Sequence, residues 1–535
     1  MPSPKPHQPP FGKWFLLDIA LALALAPASF SAHGQNALAP TTSPVQALRF
    51  TIAQFRFQGN TLVDDASLQT VLQPLLGSGK TLADLNAARQ AILAAYRDQG
   101  YELLSVDYDA VQSRGGNHLF RVREVKIAKI SVTGVAADAA ANVLRQLPGL
   151  QQGLTPNLNQ LARELFLFND NPSRSVALAY RPADPGTTDV EIRVSDKNPL
   201  HIDLALNNTG SDSTGNTRLG ISLRHDNLFD KNHQFSVGLT TSPEKPGQVL
   251  QISAAYRIPL PSLGDTVVLS ASDSSTDVGL VSNIFNVAGK GTTLGAHYQR
   301  NLWRDGVSRH VLDVGYDERR LRDVVDFFGI NLGTSVTTRP LSVGYRYQRL
   351  APGDSLALGL ALQNNLPGGD LNDDATYAAS RVGASANWQT LQLQANWQHE
   401  FSNGWMPVLR LSGQASNGPL VASEQFGLGG LQAVRGFAER EGTGDNGMRL
   451  HLELFGPRLA DKHRLLAFLD AGQSTRLNPQ PGELASQTLT SFGIGWRAQF
   501  DNGLGISLDA AKVVAGTVAN PQGSTHLHVA ASWFF

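Results

Sequence analysis

The chain contains no cysteine in 535 residues. That absence excludes a disulfide scaffold, a thiolate metal site and a thiol nucleophile together, and it leaves an exported chain nothing for a periplasmic oxidant to mispair. Charge of one sign is missing too: 44 Lys and Arg stand against 45 Asp and Glu, a formal net charge of −1. With no basic excess to neutralise phosphates, no nucleic acid is expected as a partner. Hydrophobic residues reach only 41%, and beyond residue 30 no apolar run approaches a spanning helix. If such a chain enters a membrane it must do so as a barrel, in which a closed sheet pairs every backbone group. No G-x-S-x-G string occurs, so a hydrolase would need an unflagged Ser-His pair.

What is plentiful is glycine, 51 residues, and proline, 28, a mixture that suits many short strands with tight turns. Residues 1–34 read as a secretory signal peptide. Lys5 and Lys13 form a positive start, Trp14 to Ala26 an apolar stretch and Ala32-His33-Gly34 a cleavage site. The stretch is too short for an anchor, which needs about 20 apolar residues. Residues 35–48, broken by Pro40 and Pro44, are a short extended lead-in.

Two module-sized units follow, at 49–124 and 125–196. The first opens on the alternating segment Ile52 to Phe57, stopped at Gly59-Asn60. Helical stretches at Asp65–Leu75 and Leu82–Arg97 come next, then strands at Leu103–Tyr108 and Leu119–Val125. The second repeats the order. A strand at Ile127–Val132 leads to helices at Ala137–Leu147 and Leu158–Phe168, the latter entered through Thr155-Pro156. Strands at Val176–Tyr180 and Val190–Val194 close it. Each unit is β-α-α-β-β, a small α+β domain with an open sheet edge.

From about 197 to 535 the pattern is strict alternation. Leu250, Ile252, Ala254, Tyr256 and Ile258 oppose Gln251, Ser253 and Arg257; Leu391, Leu393, Ala395 and Trp397 oppose Gln392, Gln394, Asn396 and Gln398. Sixteen strands are predicted, starting near 200, 217, 233, 248, 265, 290, 306, 337, 354, 388, 405, 447, 463, 488, 503 and 525. Short connectors such as 227–232, 351–353 and 402–404 alternate with longer ones at 275–289, 319–336, 366–387 and 417–446. Short turns on one side, long loops on the other and an even strand count describe an all-β antiparallel outer-membrane barrel. Six of the seven tryptophans fall here, mostly near predicted strand ends, as interfacial girdles require. The last strand turns Leu527, Val529, Ala531, Trp533 and Phe535 outward, which makes it the barrel-closing strand.

Enzyme-like strings lack their context. Gly442 to Gly447 matches G-x-G-x-x-G, but a strand follows it and no helix terminus receives a phosphate. Gly79-Lys80-Thr81 resembles the end of a P-loop, but Pro74 stands where the first glycine belongs; a turn is expected. His526 and His528 share an inward face and read as polar lining, since a metal needs a third ligand. No cofactor, metal or catalytic residue is assigned.

The informative segment is 417–446. A connector of this length with aliphatic and aromatic residues folds inward, onto the wall or into the pore. Arg435 sits in its apolar middle, between Val434 and Gly436-Phe437, and a buried arginine needs a partner. In Phe468-Leu469-Asp470-Ala471-Gly472 the alternation turns Phe468, Asp470 and Gly472 inward, leaving space beside the carboxylate. Spacing alone leaves two readings open: an Arg435–Asp470 pair, or an arginine capping a surface turn over a water-lining aspartate.

These motifs, Val434-Arg435-Gly436-Phe437 and Phe468-x-Asp470-x-Gly472, resemble the paired motifs of the Omp85 superfamily. Two modules before a sixteen-strand barrel resemble the two-partner secretion transporters of the ShlB/FhaC/HecB type. Phe57-Gln58-Gly59-Asn60 is similar to the strand end of a POTRA domain. Asn207-Asn208-Thr209-Gly210, Asn227-Leu228 and Ser423-Glu424-Gln425-Phe426 add to the likeness, which covers about 49–535. The resemblance implies that the loop arginine bonds the inner-wall aspartate, roles that fall on Arg435 and Asp470. It implies export, without nucleotide or catalysis, of an unfolded hemolysin- or adhesin-like exoprotein captured in the periplasm, with outer-membrane lipid and the barrel-assembly machinery as further partners. The lead-in is too short for the family's N-terminal plug helix, so plugging falls to the loop. A barrel-assembly insertase would share both motifs but carries more modules, a diffusion porin would leave 49–196 unused, and an outer-membrane enzyme lacks a nucleophile.

Overall fold

A computed structural model describes residues 48–212, 214–275, 280–281, 285–286, 290–304, 306–322, 326–327, 330–331 and 334–535. The expected signal peptide, and the lead-in up to residue 47, lie outside the described residues. The rest divides into two compact units: residues 171–174 with 196–535, and the remaining described residues up to 195.

In the smaller unit the first module runs β1 (Phe50–Ile52), β2 (Gln54–Gln58), α1 (Asp65–Leu72), β3 (Gly77–Lys80), α2 (Leu82–Asp98), β4 (Leu104–Arg114) and β5 (Asn117–Glu124). The second runs β6 (Lys126–Thr133), α3 (Ala137–Arg145), α4 (Leu158–Asn169), β7 (Arg174–Pro182) and β8 (Thr187–Asp196). In each, the last strand lies at the centre, giving sheet orders β2-β5-β4 and β6-β8-β7. It pairs in parallel with β2 in the first module and with β6 in the second. The helices cover one face, and each module encloses its own apolar core, around Phe55, Ile92 and Phe120 in one and Ile127, Leu147 and Phe168 in the other.

Local chemistry sets the helix ends. Asp64 accepts from the Ser67 amide at 2.8 Å, and Thr81 and Asp84 form a reciprocal capping box at the start of α2. Two expectations need correction. Gly77–Lys80 is a strand, not a turn: its backbone pairs with Phe50–Ile52, and the two make a separate two-stranded sheet. The cap of α4 is Asn157, not Thr155. The Asn157 side chain accepts from the Gln160 amide at 3.1 Å and donates to the Gln99 carbonyl at 2.7 Å, so one amide group serves the start of α4 and the end of α2. Gly100 makes this joint possible, because its φ is +90° and a Cβ there would lie 2.5 Å from Asn157 Oδ1.

In the larger unit seventeen strand segments close on themselves. Val336–Thr338 and Pro340–Ala351 pair with the same neighbour, Ser308–Leu321, across a break at Arg339. They form one strand, so the wall is a sixteen-strand antiparallel barrel from Leu200–Asn207 to Thr525–Phe534, as the alternation predicts. Outward positions such as Leu358, Leu360 and Leu362 are exposed, as a lipid-facing wall requires. Inward positions carry polar residues. The sixteenth strand returns to the first through the register Trp533↔Leu204. Trp397, Trp496 and Trp533 lie at the short-turn ends of their strands. Trp388 departs from the girdle expectation: it is 2% exposed, inside a cluster built by the loops.

Each module also buries one glutamate. Glu124 accepts from the Thr61 and Leu62 amides at 2.7 and 2.9 Å, from the Tyr96 hydroxyl at 2.9 Å and from the Thr61 hydroxyl. Burial pushes its carboxyl up, but these donors outweigh burial and hold it below the usual carboxylate range. Glu164 is fully buried, and burial raises its carboxyl despite donation from the Gly149 amide and the Gln160 side chain. A depressed carboxyl stabilises the fold above its unfolded pKa, and that contribution disappears as pH falls through the folded value. Glu124→Gln should therefore destabilise a fragment carrying both modules by about 1–3 kcal/mol at neutral pH. In thermal unfolding followed by circular dichroism, the gap from the parent should close below roughly pH 4.

Candidate functional site

The long connector between strand 11 (Met406–Ser416) and strand 12 (Asn446–Phe455) is built as a folded hairpin. Its stem is a two-residue ladder, Phe426–Gly427 against Thr443–Gly444. Above the stem the backbone closes on itself: the Leu428 amide donates to the Gly442 carbonyl at 2.8 Å and the Val434 amide to the Leu428 carbonyl at 2.9 Å. Leu428, Val434 and Phe437 are buried with Leu489 and Val513 of the wall. The loop thus carries its own apolar underside, which it hides against the inside of the barrel.

This packing delivers Arg435, 3% exposed, to the inner wall. Its Nε donates to Asp470 Oδ2 at 2.6 Å and its Nη2 to Asp470 Oδ1 at 2.9 Å, a bidentate pair. The Arg435 amide adds a third bond to the same carboxylate at 3.2 Å. Nη1 donates to Glu453 Oε1 at 2.8 Å and lies 3.7 Å from Asp509. The guanidinium sits over the Phe468 ring at 3.6 Å, where the ring's negative face attracts it. The structure therefore brings together Arg435, Phe468 and Asp470, which sequence spacing alone left as one of two readings.

The glycines of both motifs have definite work. Gly436 has φ +92°, a conformation that favours glycine, and a Cβ there would meet Val513 and Ala511 at 3.3 and 3.5 Å. Its amide donates to His528 Nε2 at 2.8 Å. A Cβ on Gly472 would lie 3.0 Å from Leu428 Cδ2 and 3.2 Å from Val434 Cγ2. The space left by its missing side chain is filled by the loop.

Several participants were not singled out in the sequence. Glu453, Asp509, His451, Arg410 and Arg497 surround the pair. His451 Nδ1 lies 3.0 Å from Asp470 Oδ1, Arg410 binds Glu453 at 3.2 Å, and Arg497 grips Asp509 with bonds of 2.8 and 2.9 Å. Three guanidinium groups thus face three carboxylates. A charge-balanced cluster is what allows a guanidinium to remain away from bulk water. Alternation already turns these residues inward, so strand parity could have found them; which strands lie within reach of the loop was invisible. His526 and His528 do face inward, and His528 is committed to the loop backbone. No group of His, Asp and Glu among the described residues has metal-holding geometry. At the C-terminus Trp533 and Phe535 stack with ring centres 4.8 Å apart, both substantially exposed. The Phe535 amide donates to the Ile202 carbonyl at 3.0 Å, across the closing seam.

A sixteen-strand barrel with a folded loop inside it and two α+β modules ahead of it defines an outer-membrane transporter of the Omp85 kind, its modules on the periplasmic side. Residues 186–498 match the family of haemolysin secretion/activation proteins ShlB/FhaC/HecB, and residues 50–116 match the ShlB-type POTRA domain. The chain belongs to that family. It is 23% identical over 412 residues to the outer membrane transporter CdiB of Dickeya dadantii (strain 3937), covering 76% of this chain and 72% of the relative. It is 22% identical over 406 residues to the hemolysin transporter protein HpmB of Proteus mirabilis, covering 75% and 71%. The solved structure of CdiB from Escherichia coli superposes with a TM-score of 0.71 at 20% identity, covering 93% of both chains.

Gly472→Val places new atoms where Leu428 and Val434 now sit, an overpacking that costs about 1–3 kcal/mol. The loop should leave its seat while the wall persists. In isolated outer membranes the variant loop should be cut by added protease at sites protected in the parent.

Proposed function

We propose that the lumen is the conduit through which a large unfolded exoprotein, hemolysin- or adhesin-like, reaches the cell surface, and that loop 417–446 is its gate. The observation that carries this reading is Arg435: a charge belonging to a connector, buried against Asp470 and Glu453 of the wall. Such a pair is a lock with a definite released state, because the loop can withdraw only if the guanidinium leaves its carboxylates. Removing one partner leaves the others uncompensated and costs about 3–5 kcal/mol.

Capture takes place on the modules. In module 1 the β2 edge is partly covered, since the Gln69 side chain donates to the Phe55 carbonyl at 2.6 Å. In module 2 the β6 edge is bonded by Gly153 and Leu154. The β7 edge is bonded at Val176, whose amide donates to Asn169 Oδ1 at 2.6 Å and whose carbonyl accepts from Asn169 Nδ2 at 3.1 Å. The β4 edge is the one that takes the incoming extended segment. Backbone pairing there gives affinity without a long sequence match, as export of a chain in transit requires.

The division at 49–124, 125–196 and 197–535, after a cleaved 1–34, follows from this path. No catalytic step or cofactor is needed. The exposed aliphatic wall meets outer-membrane lipid, and the Trp533–Phe535 end is the element offered to the barrel-assembly machinery during biogenesis. The family match favours secretion over an insertase or a diffusion porin.

The test pairs two variants with a tagged large exoprotein from the same cell, followed into the medium. Arg435→Ala should abolish export while a folded, heat-modifiable barrel still accumulates in the outer membrane. Deleting 49–196 should also stop export; a porin would keep its conductance and have no export to lose. Parental secretion by Arg435→Ala would sink the lock.

A further inference from the structure

The root of the long loop is held by a second charged centre, ten residues from Arg435 and built from other parts of the chain. Asp445, fully buried, lies inside the G-x-G-x-x-G-like string, and its carboxylate ties loops together. It accepts from the Leu420 amide at 2.9 Å, the Leu477 amide at 2.7 Å and the Gln425 side chain at 3.1 Å. Arg381 completes the set with two bonds to the carboxylate, one of them 3.0 Å long, and also donates to the Leu420 carbonyl at 2.7 Å and the Leu477 carbonyl at 3.3 Å. Three separate connectors therefore converge on one ion pair: 366–388, 417–446 and 476–485.

Arg381 follows directly on α5 (Asp374–Ser380), a helix in the connector after strand 9 (Asp354–Asn365). This connector is a folded piece. Tyr377 and Trp388 are buried with Ala384 and Ala386 against Leu420 and Val421 of the long-loop root and Val336 of the wall. The Tyr377 hydroxyl donates to the Thr337 carbonyl at 3.0 Å. Val336 shares its strand face with Thr338, and Thr338 points inward. Its hydroxyl bonds Glu424 of the long loop at 2.9 Å, beside the inward Arg319 at 2.7 Å. Gln414 of strand 11 ties the same root, donating to the Glu424 carbonyl at 3.0 Å and the Asp445 carbonyl at 3.2 Å. The 366–388 connector thus lies on the lumen side at the long-loop end of the wall, on top of the place where the long loop enters.

We propose that Arg381 and Asp445 are positioning residues that clasp connector 366–388 over the root of the long loop, so that the surface mouth of the pore is closed separately from the Arg435 lock. The bonding pattern distinguishes the two. Asp445 keeps its three other donors when Arg381 is lost, so the loop tip stays seated and only the cover is released. Transport then needs two releases, one at the tip and one at the mouth. This last step rests on the export reading above; closure of the mouth does not.

Arg381→Gln is the first test, with Arg381→Lys as the conservative partner. Cells carrying Arg381→Gln should show a severalfold fall in the inhibitory concentration of vancomycin, a solute too large for ordinary porins. The purified barrel in a planar bilayer should conduct more at rest than the parent, and Arg381→Lys should restore much of the closure. The Gly472→Val protease signature should be absent, because the tip remains in place. A second test exploits the absence of native cysteine: Gly383→Cys with Pro419→Cys, where a Cβ built on Gly383 lies 3.6 Å from the Pro419 ring. The unbridged double variant is the reference, because Gly383 has φ +82° and that Cβ also lies 2.9 Å from Asn478 Nδ2. Bridging the two with a thiol-cleavable bismaleimide should stop export of the tagged exoprotein, and reduction should restore it. Resting conductance and vancomycin sensitivity equal to the parent in Arg381→Gln would overturn the clasp. Undiminished export by the bridged chain would overturn the second release. If Arg381→Gln fails to assemble, the bridged chain decides alone. Should no variant or parent export anything, the export reading fails while the bilayer measurement still judges the mouth.

Discussion

A guanidinium kept from bulk water has to be matched, donor by donor, by acceptors that are themselves anchored. Arg435 meets that requirement only because three wall strands, Asn446–Phe455, His463–Thr475 and Leu504–Ala515, present Glu453, Asp470 and Asp509 inward at one level, while His528 of the last strand holds the neighbouring Gly436 amide. The rest of the lumen is organised by the same demand. The loop must bring an apolar underside to stay seated, Gly472 must lack a side chain to admit it, and Gly436 must turn with positive φ to aim the arginine. Remove the demand for pairing and none of these features has a reason to coincide.

Much of the architecture was readable because a strand's two faces are set by residue parity. Leu465, Ala467 and Leu469 against Phe468, Asp470 and Gly472 tell inside from outside with no knowledge of the fold, and an arginine set among Val434 and Phe437 signals burial. What parity does not carry is which inward residues meet a loop arriving from elsewhere. Arg410, Glu453 and Asp509 were visible as inward polar residues and not as a cluster. The same limit explains Trp388, whose position near a strand end suggested the lipid interface. Its neighbours Tyr377 and Leu420 come from two different connectors, and sequence does not show that these connectors pack on each other. Asn157 is different: its capping bond to the Gln160 amide is local and legible in sequence, whereas its second bond, to Gln99 of the other module, is not.

The two modules repeat a fold without repeating its chemistry. Glu124 sits among four donors and is held ionised, whereas Glu164 has fewer and is pushed toward neutrality by burial. Their acid responses therefore have opposite signs. What they share is the joint at Asn157 and Gly100, where the end of one helix and the start of another use the same side chain. That joint limits how freely the pair can bend.

The contacts of Arg435 also bear on the mechanics of the wall. A barrel is a thin ring of hydrogen-bonded ribbons, and its cross-section resists flattening only as far as something spans it. By bonding Glu453, Asp470 and, through the next amide, His528, the loop tip acts as a tie-rod fixed to strands that are not all neighbours. When the loop withdraws, the bore is emptied and the brace is removed in the same event. The wall should then be most deformable at the moment an irregular chain has to pass through it.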